Sequence, residues 1–285
     1  MKVVEAFNKG TPSLSFEFFP PKTAEQETKL FAAIDQLKNF HPNFVSVTYG
    51  AMGRTREKTF FWVNEIKRKY GIEPVAHLTC VAASKEEIAH QLDELEKIGT
   101  TNILALRGDP PVGEKDFVPP VNGFRLAKEL IAFIKQSKPQ MCVGAAGFPE
   151  SHPAAPSVYK DTEYLKAKVE AGAEYIITQL FFDNRRYFEF IGRCEKAGIT
   201  IPIIPGLMPI TNLHQIKKMT ETCGATIPGD LLAKLEKHPA DVAKIGAEHT
   251  LAQANGLLKS GVKGLHFFVM NQAEPISRIL SELKK

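Results

Sequence analysis

Of the 285 residues only four are cysteine and one is tryptophan, and 36 basic residues against 32 acidic ones leave a net charge of just +4. Cys80, Cys142, Cys194 and Cys223 stand far apart with no Cys-x-x-Cys among them. That spacing excludes a disulfide framework and reads as reduced, mostly buried thiols of a cytoplasmic protein. No basic run stands out, which excludes nucleic acid as the expected partner. No apolar run approaches the ~20 residues of a membrane helix. The longest candidate, Ile199–Ile210, is interrupted by Pro202, Pro205 and Pro209. Charges at Lys2, Glu5 and Lys9 rule out a signal peptide at the start. His-x-His and His-Glu-x-x-His are absent, so no motif proposes a metal hydrolase and no metal is expected.

What is present is a recurring unit. Apolar, β-branched runs predict strands at Ser13–Phe19, Asn43–Thr48, Pro74–Thr79, Asn102–Leu106, Met141–Ala146, Glu174–Thr178, Ile201–Ile204 and Gly264–Val269. Helical patterns follow most of them. Thr23-x-x-Gln26 and Ser84-x-x-Glu87 are capping-box signals, and Asp161 and Thr211 are expected N-caps further on. Gly71, Gly99, Gly172, Gly198 and Gly261 fall where helices must end. A second peripheral helix is expected near Asp230–Lys237. The repetition predicts an α/β fold, a parallel (β/α)₈ TIM barrel formed by residues 1–285 as one domain. An open doubly wound sheet is the rival, but Pro20 and Pro21 sit where its glycine-rich fingerprint would follow the first strand.

The first strand, Ser13–Phe19, carries Glu17 among aromatics. Burial there would strengthen the carboxyl's hold on its proton and suit it to act as a general acid. A structural Glu paired with Arg or backbone amides is the plain alternative. Strand alternation sends Phe16 and Phe18 toward the helices. It leaves Glu17, Ser46, Thr48, His77, Arg107 and Gln179 facing inward, with Leu104 and Leu106 outward and Asp109 just beyond the fourth strand. Singly, His77 reads as a bonded core histidine, Arg107 with Asp109 as a loop-pinning ion pair, and Gln179 as a strand-end cap. Together they form a polar ring at the mouth that barrels use for chemistry, flanked by long loops at 107–124 and 147–160. No strand ends in the lysine a Schiff-base aldolase needs. Cys80 and His77 fall on opposite strand faces.

The segments SFEFFPP, VSVTYGA, HLTC, LALRGDPP, FPESHP, LKAKVEAGA, ITQLFFD, IIPGLMPI and HFFVMNQAE, in that order, resemble the methylenetetrahydrofolate reductase family, in the short bacterial form that consists of the catalytic barrel. The resemblance implies noncovalent FAD, NADH or NADPH as reductant, and ping-pong reduction of 5,10-methylenetetrahydrofolate to 5-methyltetrahydrofolate, a one-carbon step that feeds methionine synthesis. It implies Glu17 as the acid that helps open the folate ring, Asp109 near flavin and pterin, and Gln179 as a folate contact. Thr48, Tyr49, Ala51, His77, Arg107, Gly108, Asp109, Phe148, His152, Asp161 and Lys168 match cofactor-holding positions, with Arg107 and Lys168 suited to phosphate. Phe268 and Gln272 stand where the family's substrate-contacting Tyr and Arg are found, Leu213 replaces a stacking Phe, Gly147 and Phe148 follow the two alanines where Tyr is common, and Tyr164 and Ala167 replace an Asn and an Arg. Two other readings compete: a catalytically silent homologue that binds flavin or folate and acts through a partner, and a different flavin barrel. The sequence leaves NADH against NADPH, an accessory electron-delivering subunit and homo-oligomer formation open.

Overall fold

The computed structural model describes residues 1–48, 56–81, 83–108 and 118–283. Tyr49, Ala51 and Asp109 lie outside the described residues. The chain runs β1 (Ser13–Phe18), α1 (Ala24–Leu37), β2 (Phe44–Val47), α2 (Arg56–Tyr70), β3 (Glu73–Thr79), α3 (Lys85–Lys97), β4 (Asn102–Leu106), α4 (Ala127–Ser137), β5 (Cys142–Gly147) and α5 (Val158–Glu170). It continues through β6 (Tyr175–Thr178), α6 (Asn184–Lys196), β7 (Ile203–Ile204), β8 (Gly206–Leu207), α7 (Leu213–Cys223), α8 (Gly229–Lys237), α9 (Val242–Lys259), β9 (Gly264–Phe268) and α10 (Ala273–Glu282). Among the described residues all strand pairings are parallel, in the order β7-β6-β5-β4-β3-β2-β1-β9-β8. The two ends of that order, β7 and β8, are consecutive in the chain. They are the expected seventh strand, interrupted at Pro205, whose missing N–H cannot join a ladder while its carbonyl still accepts from His266 N–H at 3.0 Å. The ring closes through that residue into a TIM-type barrel.

Sequence chemistry explains most boundaries. Thr23 caps α1 by accepting from Gln26 N–H, and Ser84 with Glu87 forms the complete capping box of α3. The glycines expected at helix ends all take positive φ. Two N-caps differ from expectation. Ser157, not Asp161, accepts from Lys160 N–H to start α5, and Asn212, not Thr211, accepts from Gln215 N–H to start α7. Each true cap has the extended backbone a cap requires, and Asp161 already lies inside the first turn.

Two layers of core follow from strand alternation. Phe16, Phe18, Val45, Val47, Ala76 and Leu78 pack outward against the helices. Val75, Leu104, Cys142, Tyr175, Ile177 and Ile204 fill the barrel interior with Phe44. The phase expected for β4 is therefore reversed: Ile103 and Ala105 face the helices, and Leu104 and Leu106 face inward. A parallel strand buried on both sides is apolar throughout, so its sequence carries no phase. Arg107 then continues the helix-facing row at the rim instead of pointing down the barrel axis.

A short 3₁₀ segment, Val3–Asn8, was not anticipated and closes the end opposite the polar ring. Its Phe7 contacts Phe44 (6.1 Å) and Tyr175 (5.7 Å), and Val3 N–H donates to Asn102 Oδ1 at 2.8 Å. This plug replaces water at the base with aromatic contact. Phe7→Ala is expected to cost about 3–5 kcal/mol of stability, measured as a fall in the urea midpoint with little change in the far-ultraviolet spectrum.

Candidate functional site

The mouth of the barrel divides into two clusters. The first is built on four adjacent strands, β9, β1, β2 and β3. Register pairs Glu17 with Ser46 across β1–β2 and Ser15 with His266 across β1–β9. As a result Glu17 Oε2 faces three groups at once: Ser46 Oγ, which donates at 3.3 Å, His77 Nε2 at 3.4 Å and His266 Nε2 at 3.5 Å. All of these residues are buried. The imidazole distances are those of ion-pair contact, longer than a tight charged hydrogen bond. His266 is fixed from behind: its Nδ1 meets Ser15 Oγ at 2.8 Å, its ring stacks on Phe44 at 6.1 Å, and Phe268 closes edge-on at 5.4 Å. Phe268 finds its place because residue 206 is glycine. A Cβ there would fall 2.7 Å from the Phe268 ring and 2.3 Å from Thr178 O.

His266 did not emerge from the sequence as a site residue. Alternation counted from Gly264 would have placed it inward beside Phe268, the one residue of that strand singled out. Its effect is large. Burial does push the Glu17 carboxyl upward, as the sequence suggests, but the charge and hydrogen bonding of His77 and His266 outweigh it and bring the group from 4.5 down to about 2. Glu17 in this arrangement is a carboxylate at neutral pH, and the expectation of a tightly held proton is corrected.

The second cluster lies on β4, β5 and α5. Lys168 donates through Nζ to Ala146 O at 2.9 Å, and burial pulls its ammonium down to about 8 against the opposing pull of Asp161. Arg107 adds positive charge beside it and donates to Gly108 O at 3.3 Å. Asp161 is raised by burial, with Lys168 working the other way. Gly108 has φ +83°, and a Cβ there would lie 2.5 Å from Val81, so the backbone passes here only as glycine. Phe148 and His152 pack edge to face at 4.7 Å beside Lys168. Among the described residues this is a half-buried concentration of positive charge, with Lys168, Arg107 and Arg193 around Asp161.

The remaining expected residues are dispersed around these two. Thr48 N–H donates to Phe18 O at 2.9 Å at the end of β1. Gln179 is half-buried, and its Oε1 accepts from Leu180 N–H at 2.8 Å. Gln272 precedes α10 and lines a shallow groove with Met208, Ile210, Ile216, Met219 and Met270. Cys80 takes no part. Its thiol is pushed up to about 12, chiefly by burial, which removes the thiolate a nucleophile needs.

The family model described as methylenetetrahydrofolate reductase matches residues 2–284. A maize protein named methylenetetrahydrofolate reductase (NADH) 1 is 36% identical over 99% of this chain and 50% of its own length. The Escherichia coli K12 protein named 5,10-methylenetetrahydrofolate reductase is 38% identical over 93% of this chain and 88% of its own. The chain thus spans about half the length of the plant relatives. A solved Clostridium thermocellum protein, described as binding two copies of 5-methyl-5,6,7,8-tetrahydrofolic acid, superposes with a TM-score of 0.67 at 14% identity, covering 97% of this chain and 95% of that one. At that identity the likeness concerns the fold.

The Glu17 cluster carries a sign that can be measured. Its carboxyl is depressed in the folded state, so it contributes stability fully above pH 4.5, and that contribution is lost as pH falls toward about 2. Glu17→Gln should therefore flatten the stability profile between those two values. Urea unfolding from pH 2 to pH 6 tests this, and an unchanged slope would mean that the histidines do not hold the carboxylate.

Proposed function

Since the chain belongs to the methylenetetrahydrofolate reductase family, we propose that it reduces 5,10-methylenetetrahydrofolate to 5-methyltetrahydrofolate, with FAD held noncovalently and NADH or NADPH as the reductant in a ping-pong cycle. The observation that carries the reading is Glu17, ionised and gripped by two imidazoles at the mouth of the barrel. The folate must gain a proton on the nitrogen whose bond to the bridging carbon opens. Glu17 is the carboxylate that receives and passes on that proton, and His77 and His266 are the groups in contact with it that can supply one. Phe44 and Phe268 pack against His266 and hold its buried ring in place beside Glu17.

The second cluster fits a dinucleotide. Lys168 and Arg107 offer positive charge beside Asp161, which suits a diphosphate. When bound, FAD supplies two-electron hydride chemistry. Phe148 presents an apolar face beside Lys168, and Gln179 and Gln272, with the groove that Gln272 lines, are the proposed folate contacts. The nicotinamide leaves no motif of its own, and the plant relatives named for NADH make that the first reductant to try. Free, mainly buried thiols suit the reducing cytoplasm as its location.

Anaerobic stopped-flow absorbance tests the reading. Purified protein should be yellow, lose its flavin absorbance with NADH or NADPH, and regain it with methylenetetrahydrofolate. A colourless protein that takes up no FAD would sink it. Glu17→Gln should leave reduction by nicotinamide intact and slow the folate half-reaction by about 10²- to 10⁴-fold. Equal loss in both halves would make Glu17 a structural residue. Lys168→Met should weaken FAD binding about 10- to 100-fold through loss of a charged hydrogen-bond donor, read by titrating apoprotein with FAD. Unchanged affinity would take Lys168 out of the cofactor site.

A further inference from the structure

Regular pairing between β1 and β9 ends at Glu17 and Phe268, and Val269 N–H adds one more bond to Glu17 O at 3.1 Å. Beyond this the β1 chain meets a difficulty of its own making. Phe19 still has a main-chain N–H and carbonyl to satisfy, but Pro20 and Pro21 follow and offer no N–H to continue a ladder. Across from it, β9 has already turned away: Gln272 N–H closes onto Val269 O at 2.9 Å, with Met270 and Asn271 between them at φ +52° and +56°. Asparagine tolerates that left-handed region, whereas methionine rarely enters it. A local conformational preference therefore does not account for two such residues in sequence. What the turn accomplishes is visible in its hydrogen bonds. Phe19 N–H donates to Asn271 Oδ1 at 2.9 Å, and Asn271 Nδ2 donates to Phe19 O at 2.9 Å.

We propose that Asn271 is a positioning residue for Glu17, its side-chain amide clamping both main-chain polar groups of Phe19 just past the point where the parallel β1–β9 ladder ends. A carboxamide is the side chain that offers a donor and an acceptor side by side, as the backbone does. On the other edge, Phe18 O accepts from Thr48 N–H at 2.9 Å, so the end of β1 is held from both neighbours. The consequence falls on Glu17. Its carboxylate meets Ser46, His77 and His266 at 3.3–3.5 Å, at the limit of useful contact. A strand end free to drift would lose these partners before it lost its fold. The role for turnover rests on the folate reduction proposed above; the role in holding Glu17 does not.

Two substitutions in the full chain separate the clamp from the turn. Asn271→Gly accepts positive φ without strain and removes the amide. Asn271→Asp keeps an acceptor for Phe19 N–H but sets a carboxylate oxygen against Phe19 O. Both half-reactions are followed by stopped flow, and Glu17 is titrated by carboxyl ¹³C NMR in the protein without substrate. Expected in both variants is a folate half-reaction slowed about 10- to 100-fold, with nicotinamide reduction and folate affinity unchanged, and a Glu17 titration moved up from about 2. A Glu17 titration that stays in place, or equal slowing of both half-reactions, overturns the proposal. If the parent chain does not reduce folate at all, the functional reading fails, and the NMR titration alone still decides the role of Asn271.

Discussion

A carboxylate buried in a barrel mouth is sustained only by partners that return the hydration it has lost. Glu17 has three, and they come from three different strands, β2, β3 and β9, while it rides on a fourth. That arrangement demands that β9 return to lie beside β1, which is the closure of the barrel itself. It also demands one register. A slip of one residue along β1 would bring Phe16 or Phe18 inward and send Glu17 into the helix-facing core. Packing and chemistry thus select the same alignment. The phenylalanines that first seem to be the environment of Glu17 are its anchors on the other side of the strand.

Closure carries a second constraint at the seventh strand. Pro205 divides it into β7 and β8, and the halves pair with different neighbours, β6 and β9. The break lies where His266 N–H needs an acceptor and Phe268 needs room, and Pro205 O and Gly206 provide these in turn. The room for the Phe268 ring over His266 comes from the missing Cβ at Gly206, which stays in register with His266 across β8–β9.

How much of this could be read from the sequence depends on what each stretch had to encode. Wherever one strand face is polar, alternation gave the right phase: Ser46 and His77 point inward, and Val45 and Ala76 outward. In β4 both faces are apolar, and Leu104 was read on the wrong side. Helix starts were legible where the cap was followed by its reciprocal Glu or Gln, as at Thr23 and Ser84. They slipped by one or a few residues where several candidates competed, as at Ser157 and Asn212. Glu17 and His77 were read onto one inward ring, but His266 was not brought to them, so the pull of two imidazoles against the effect of burial on the carboxyl was missed. The plug at Val3–Asn8 and the pairing of Asn271 with Phe19 depend on contacts between residues far apart in the chain, which no local pattern reports.

The two clusters are independent in construction, and this has a consequence for how the sequence can vary. The Glu17 group is held by strands whose inward residues are fixed by register, so a change there disturbs barrel closure as well as the site. The cationic group depends on a loop after β4, a loop after β5 and one face of α5, none of which sets strand alignment. Departures from the family pattern fall accordingly. Gly147 ends β5, Phe148 follows it, Tyr164 and Ala167 lie on α5, and Gln272 follows β9 at the groove. Only Phe268 falls within the ladder that bears Glu17, and it keeps the aromatic ring that covers His266 while giving up a hydroxyl.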